Sequence, residues 1–454
     1  LRGLSCPNCE NALHKQANGT YACKPCKLHF PTLAGVPFVW PNPAAALADW
    51  RNRFNMTLAD LDQQIELCAR ATPATQAGQT RLAHLANGLA THRTELNKIL
   101  EPLKVGVASS KELHLALGTN LLSHHGVLSY LQNVHRDWVW GEAENVATNE
   151  LLIEMLGASA DSVAHKRILV MGSGAGRLAY DLHEHLKPTQ TLALDSNPFL
   201  CLIAQKLSHD EALELTEFPA TPIDADHVSI QHSLNAREPL EGLDIVCADA
   251  LRPPAAAASF DLVVTPWLVD VIDTGLGSLM DCVAHVLKPG GHWLNHGSLA
   301  FQGAQPEHRL TSEEIPEIAA AHGFGVVLQR DDRLPYLQSP ASRGQREELT
   351  HSWLAVRDAN DSAYVRESIQ HLPSWMTSTD QPVPLSPGIQ TQAGTTRIHA
   401  FIMALVDGQR SIKDMAKVME DQRLMPAQEA IAAIQGFLGK MHEEAVHFEG
   451  RKHE

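Results

Sequence analysis

Apolar residues recur in short, evenly spaced runs through the middle of the chain, and their spacing sets the first expectation. Residues 168–171 form an apolar run that leads into three glycines, Gly172, Gly174 and Gly176, and an amphipathic segment follows at once. That order predicts strand, tight turn and helix. Residues 191–194 read as a second strand closed by Asp195, the run LDIVCA as a third with Asp249 just past it, and residues 260–265 as a fourth. From Leu287 the chain reads as a helix end, a Pro-Gly-Gly turn and a fifth strand at 292–295. Residues 323–329 and 350–357 supply the last two strands, expected as an antiparallel edge hairpin. Strands alternating with helices predict an α/β fold, a doubly wound seven-stranded sheet with its ligand at the carboxyl ends of the strands.

The flanks carry a different period. Leu58, Leu61 and Ile65, then Leu82, Leu85 and Leu89, lie near helical spacing, so residues 44–105 predict two or three helices, with Thr72 to Gln79 as the loop between them. Residues 361–395, rich in Pro, Gly, Ser, Thr and Gln, predict a linker. Ile398, Phe401, Ile402 and Leu405, and later Ile431, Ile434, Leu438 and Met441, again mark helices, with Asp407-Gly408 as a turn between helices. The expected boundaries are 1–40, 41–119, 120–360, 361–395 and 396–450.

Composition narrows the function. In 454 residues there are 36 Lys and Arg against 52 Asp and Glu, a formal charge of −16, and no basic run of five. General binding to a phosphate backbone is disfavoured, because it depends on clustered cations. No apolar run approaches the length of a membrane span. Cys68, Cys201, Cys247 and Cys282 are scattered in apolar surroundings, as free thiols are in a cytoplasmic protein. The first residue is Leu1 rather than methionine, which leaves a preceding segment open.

The other four cysteines are crowded together. Cys6 and Cys9, then thirteen residues, then Cys23 and Cys26 make two C-x2-C knuckles. Four thiolates at this spacing suit tetrahedral Zn2+, and with all four positions filled by cysteine the role expected is structural. Four unrelated cysteines, or an iron site of the same geometry, are the alternatives. The 25 histidines include pairs such as His124-His125 and His183 with His185, but none stands at a convincing metal-ligand spacing.

Candidate chemistry gathers around the glycine turn. Glycine lets backbone N–H groups approach a nucleotide-like cofactor, and an acidic residue closing the second strand, here Asp195, can accept hydrogen bonds from ribose hydroxyls. A nicotinamide dehydrogenase is one alternative, but its fingerprint usually ends G-x-x-G. The Lys288-Pro289-Gly290-Gly291 turn and the strand order resemble class I S-adenosylmethionine-dependent methyltransferases. A closer resemblance is to the carnosine N-methyltransferase family, carried over roughly residues 120–357 by Arg136-Asp137-Trp138, Gly174-Ala175-Gly176-Arg177-Leu178-Ala179, Ala248-Asp249, Leu268-Val269-Asp270 and KPGGHWLNHGSL.

That resemblance implies site roles. Asn133, Arg136, Gly172, Gly174, Gly176, Arg177, Asp195 and Asp249 would bind S-adenosyl-L-methionine, with Arg136 suited to the methionine carboxylate, Asp195 to the ribose and Asp249 to the adenine amino group. Asp270 would fix the tautomer of an imidazole acceptor, or else cap the following helix, and Tyr336 would cover the substrate or merely pack its loop. The family often has Glu where Asp195 stands, and an aromatic-His pair where this chain has Phe301-Gln302. The segment LHFPTLAGVPFVWP after the second knuckle resembles a zinc-ribbon family that includes a methyltransferase activator subunit, which implies an interaction or stabilising module. Asp407-Gly408-Gln409-Arg410-Ser411-Ile412 resembles the winged-helix domain of the pyrroloquinoline-quinone biosynthesis chaperone, which takes up a peptide by strand addition; a generic helical dimerisation unit is the alternative. The expected reaction is N-methylation of an imidazole or related nitrogen of a small molecule or peptide. The rivals are methylation of a peptide or protein delivered by the terminal modules, and a cofactor-binding scaffold without turnover.

Overall fold

The computed structural model describes residues 3–103, 126–157, 166–272, 275–301, 306–358 and 397–448. The chain divides into two compact units, Leu1–Ser368 and Ile369–Glu454. Five short strands open the first unit: β1 (His14–Lys15), β2 (Tyr21–Cys23), β3 (Leu28–Phe30), β4 (Thr32–Leu33) and β5 (Val36–Val39). Helices α1 (Pro43–Arg70) and α2 (Gln76–Ile99) follow, then α3 (Leu131–His135) and α4 (Glu142–Leu156). The expected loop at Thr72 to Gln79 is shorter, because the Thr75 hydroxyl accepts from Gly78 N at 3.1 Å and caps α2 there.

The alternating part then runs β6 (Arg167–Met171), α5 (Arg177–Leu186), β7 (Gln190–Asp195), α6 (Pro198–Leu207), β8 (Leu213–Glu217), β9 (Ile230–Leu234), β10 (Leu243–Ala248), β11 (Phe260–Pro266), α7 (Leu276–Val286), β12 (Leu287–Gly297), α8 (Ile315–Ala321), β13 (Phe324–Pro335) and β14 (Glu347–Arg357). The large sheet has the order β13-β14-β12-β11-β6-β7-β10-β5-β4. Strands β10, β7, β6, β11 and β12 are mutually parallel, and the β13–β14 hairpin is antiparallel at one edge, as the apolar pattern predicts. Alternation decides the layering. Ile168 and Val170 of β6 enter the core on one face while Leu169 and Met171 enter the core on the other, and both faces are buried.

Four features depart from the expectation. The sheet has nine strands rather than seven, because β5, from the cysteine-rich N-terminal segment, pairs in parallel with β10 and brings β4 with it. A boundary at residue 40 therefore cuts between a strand of the sheet and the helices that follow. Residues 288–291 bulge out between Leu287 and His292 within β12 rather than preceding the strand. The two-stranded sheet β8–β9, inserted before β10, has too weak an alternation to stand out in the sequence.

In the second unit, residues 397–405, Ile412–Asp421 and Ala427–Phe448 are helical. The Ser411 hydroxyl and Asp414 carboxylate form a reciprocal cap that starts the middle helix directly after the Asp407 turn. Among the described residues of this unit there is no strand, so the wing of the expected winged helix is not among them. The expected linker at 361–395, Gln302 and the His124-His125 pair lie outside the described residues. Among the described residues no helix is long and apolar enough to cross a membrane.

Candidate functional site

The glycine turn links β6 to α5 at the carboxyl end of the sheet. Gly172 N and Ser173 N donate to Leu194 O, each at 2.9 Å, and Gly174 N donates to the Asp195 carboxylate at 2.9 Å. The first and second strands are thereby clipped together at their tips. Gly174 has φ +56°, and a Cβ built there would meet nothing within 4 Å, so this point of the turn opens on free space. Gly176, at φ +84°, has the opposite reason to be glycine: a Cβ would lie 2.8 Å from that of Ala204 on α6. One glycine leaves room for a ligand; the other lets two helices approach.

Asp195 also accepts from Asn197 N at 2.8 Å. Burial nonetheless pushes its carboxyl up to about 6, with the backbone donors at Asn197 and Gly174 working against that rise. Asp249, half-buried, follows β10, and its carboxylate accepts from Leu251 N at 2.9 Å. Because Cys247 of β10 stands opposite Asp195 in register, Asp249 lies two residues further along the neighbouring strand.

The Arg-Asp-Trp block is not an ordinary helix. Arg136–Trp140 forms one π turn, closed by Gly141 N donating to Arg136 O at 2.9 Å, and such turns concentrate at functional sites. Trp138 Nε1 donates to Ala175 O at 3.0 Å, which fastens the π turn to the glycine turn. Arg177 completes the clamp: its Nη1 donates to Asp137 O at 2.9 Å, and its other nitrogens pair with Asp181 and Glu142 at 2.7 and 2.9 Å. These partners engage the Arg177 guanidinium on every side and tie the start of α5 to the π turn. Arg136 likewise meets carboxylates of the protein, Asp137 at 2.7 Å and Glu144 at 3.4 Å. Burial lifts the Glu144 carboxyl to about 6 against the pull of Arg136.

Three segments distant in sequence meet on the other side. Tyr336, after β13, packs against Trp267 with ring centroids 4.4 Å apart and the planes tilted by 34°. Arg346 lies 4.8 Å over its face and Arg136 6.0 Å, and Asn133 is within hydrogen-bond reach of its phenol. Trp267 itself sits at the tip of β11 with φ +51°, a strained conformation for a tryptophan, braced by its N–H donating to His296 O at 2.7 Å. Asp270, on the turn that follows, is pushed up to about 6 by burial, with the charge of Glu348 adding to the rise.

Tyr130, which the motif pattern passes over, ties these groups together. Burial raises its phenol to about 12, and the negative charges of Asp195 and Asp270 and the phenol of Tyr336 add to that rise, so the fields of all three reach it. His296 of β12 is a second overlooked residue. It is fully buried edge-on to Trp267, with Nδ1 2.9 Å from the Ser352 hydroxyl and with no hydrogen-bond partner for Nε2. Burial holds it neutral, down to about 4. Aromatic and histidine residues at the ends of apolar strands, as in TPWLVD and LNHG, were the available signal.

The four N-terminal cysteines form a separate centre. Their Sγ atoms all lie within 4.8 Å of one another, with Cys9 and Cys23 3.4 Å apart and Cys6 and Cys26 3.9 Å apart. A tetrahedral Zn2+ with Zn–S bonds of about 2.3 Å requires sulfurs about 3.8 Å apart, so the donor set fits the ion.

Comparison with known proteins identifies the family. The family model described as carnosine N-methyltransferase matches residues 114–359, more than half of the chain. The curated carnosine N-methyltransferase of Dictyostelium discoideum is 22% identical over 160 residues, covering 32% of this chain and 34% of that protein, so the alignment spans about a third of the relative. Among solved structures, a phosphoethanolamine N-methyltransferase of Haemonchus contortus is 16% identical with a TM-score of 0.31, covering 46% of this chain and 52% of that one. A 16S rRNA adenine N-methyltransferase from Catenulisporales acidiphilia is 18% identical with a TM-score of 0.31, covering 45% and 92%. With the glycine turn, the Arg-Asp-Trp clamp and the family match in agreement, the chain belongs to the carnosine N-methyltransferase family.

Proposed function

We propose that the protein is an S-adenosylmethionine-dependent N-methyltransferase acting on an imidazole or related ring nitrogen of a small molecule or peptide. The observation that carries this reading is that Asp195 closes β7 beside the glycine turn while Asp270 and the paired rings of Trp267 and Tyr336 stand past β11 and β13, with the fields of Asp195, Asp270 and Tyr336 all reaching Tyr130. A carboxylate suited to ribose and a carboxylate suited to an acceptor thus share one neighbourhood at the carboxyl ends of the strands. The open side of Gly174 supports room for the cofactor beside Asp195. When bound, the cofactor supplies a methyl group already activated by its sulfonium, so the protein's task is to orient and desolvate the acceptor.

In this reading Asp195 accepts from the ribose hydroxyls and Asp249 from the adenine amino group. The tilted Trp267–Tyr336 pair offers an aromatic wall for a flat ring. Asp270 accepts the N–H of the ring nitrogen that is not methylated, which fixes the tautomer and leaves the lone pair of the other nitrogen facing the methyl donor. As the ring takes up the methyl group, positive charge develops beside the Asp270 carboxylate, which stabilises it. Arg136 stays with Asp137 and Glu144 until a ligand carboxylate competes for it, and Arg177 positions the π turn. Zn2+ held by Cys6, Cys9, Cys23 and Cys26 would be structural.

Incubating the purified chain with methyl-labelled S-adenosylmethionine and a panel of imidazoles, histidine-containing dipeptides and longer peptides tests the reading. Label on a ring nitrogen of the small acceptors is expected. Label confined to long peptides would favour delivery by the terminal modules, and cofactor binding without transfer would favour the scaffold.

A further inference from the structure

The N-terminal ribbon is joined to the sheet at the strand that bears Asp249. Strand β5 pairs in parallel with the last two residues of β10, Phe38 opposite Cys247 and Val39 opposite Ala248, and the next residue is Asp249. All four residues of β5 are buried. Val39 shares one core with Ala248 and Ala250, the two neighbours of Asp249, and Cys6 and Cys23 of the thiolate centre lie in the same core, each 1% exposed. Two further ties reach across: Ser5 N donates to Pro254 O at 2.9 Å, and Glu10 lies 2.9 Å from His285 at the end of α7. The ribbon's own strands β1, β2 and β3 are only two or three residues long. A sheet so small is not stable without a staple, and its four thiolates are that staple when a metal holds them.

We propose that the metal-bound ribbon is a positioning element of the cofactor site: through β5 it fixes the end of β10 and hence the Asp249 carboxylate. This rests on the reading of Asp249 as a cofactor ligand. Metal loss lets the knuckles spread, β5 loosens from β10, and Asp249 loses a fixed place. Asp195 stands opposite Cys247 of β10 but keeps its own anchors, its carboxylate accepting from Gly174 N and Asn197 N. The ribbon therefore acts on one end of the cofactor and leaves the acceptor side unchanged.

The test compares the full chain as isolated, the chain stripped with a thiol-competitive zinc chelator, and the stripped chain given one equivalent of Zn2+. Metal content is measured by elemental analysis and S-adenosylhomocysteine binding by calorimetry. A weakening of about tenfold on stripping, restored by Zn2+, is expected for one displaced charged hydrogen bond. Binding by the stripped chain within about twofold of the loaded chain would overturn the proposal. If the loaded chain itself does not bind S-adenosylhomocysteine, the cofactor reading fails instead.

Should the stripped chain lose its fold, Val39→Ala decides with the metal in place. Metal content is then expected to stay at that of the unaltered chain, cofactor affinity to fall, and the acceptor KM at saturating cofactor to stay unchanged. Val286→Ala, buried at the opposite end of the strands beside Ser259, controls for general loosening. Equal loss of affinity in both variants, or none in Val39→Ala, would overturn the proposal.

Discussion

The two halves of the candidate site are built by different means. On the cofactor side the work is done by main chain: Gly174 N and Asn197 N hold Asp195, and Leu194 O receives the N–H groups of Gly172 and Ser173. On the side assigned to the acceptor it is done by side chains from two separate segments, Trp267 and Asp270 after β11 and Tyr336 after β13, with the Trp267 and Tyr336 rings 4.4 Å apart. A main-chain cradle depends on a short stretch of sequence and suits one invariant ligand. A side-chain wall can be altered one residue at a time, and suits an acceptor that varies.

The largest expected effect separates the halves by chemistry. Asp270→Asn should lower kcat by about 10²–10⁴-fold, the range for loss of a positioned acid–base partner, with S-adenosylhomocysteine affinity unchanged by calorimetry. An equal loss of cofactor affinity would merge the halves. Conversely, Asp195→Ala should weaken S-adenosylhomocysteine by about 100-fold, the worth of two charge-assisted hydrogen bonds, and the same measurement applies to Asp249→Ala. Acceptor KM at saturating cofactor should not move in either variant.

Smaller effects sharpen the contrast. Trp267→Ala removes the ring against which Tyr336 packs, and a rise of about tenfold in acceptor KM is expected from the lost aromatic face, with cofactor affinity intact. The pH dependence has a defined sign. Asp195 in the free protein stands at about 6, above its ordinary 3.8, so its ionised form, the one proposed to accept from the ribose, is depleted as pH falls through 6. Cofactor affinity, measured without acceptor, should therefore fall by up to about tenfold per unit below pH 6, and Asp195→Asn should flatten that limb.

The same contrast explains what could be read from the sequence. The glycine turn, Asp195 and the strand order were legible because each is local: an apolar run, a turn and an acidic residue adjoin in the chain. The β13–β14 hairpin was legible for the same reason. Tyr130, Trp267 and His296 were not, because nothing in the sequence around them tells that the residue after β11 and the one on β12 will meet, or that a tyrosine before β6 will feel the charge of Asp195 and Asp270. The addition of β5 to the sheet was hidden too: four apolar residues after a metal knuckle look the same whether they end a separate module or pair with a strand some two hundred positions later. Arg177 was legible as a motif residue, whereas its partners Asp181, Glu142 and Asp137 O were not, because two of the three lie some forty residues away in the chain.

One assay bears on methyl transfer most directly. The full chain, with methyl-labelled S-adenosylmethionine and a histidine-containing dipeptide, should yield label on a ring nitrogen, and Asp270→Asn should lose that product while still binding S-adenosylhomocysteine. Cofactor binding by the unaltered chain with no label on any imidazole would contradict the assignment of Asp270 and Tyr336 to an acceptor ring.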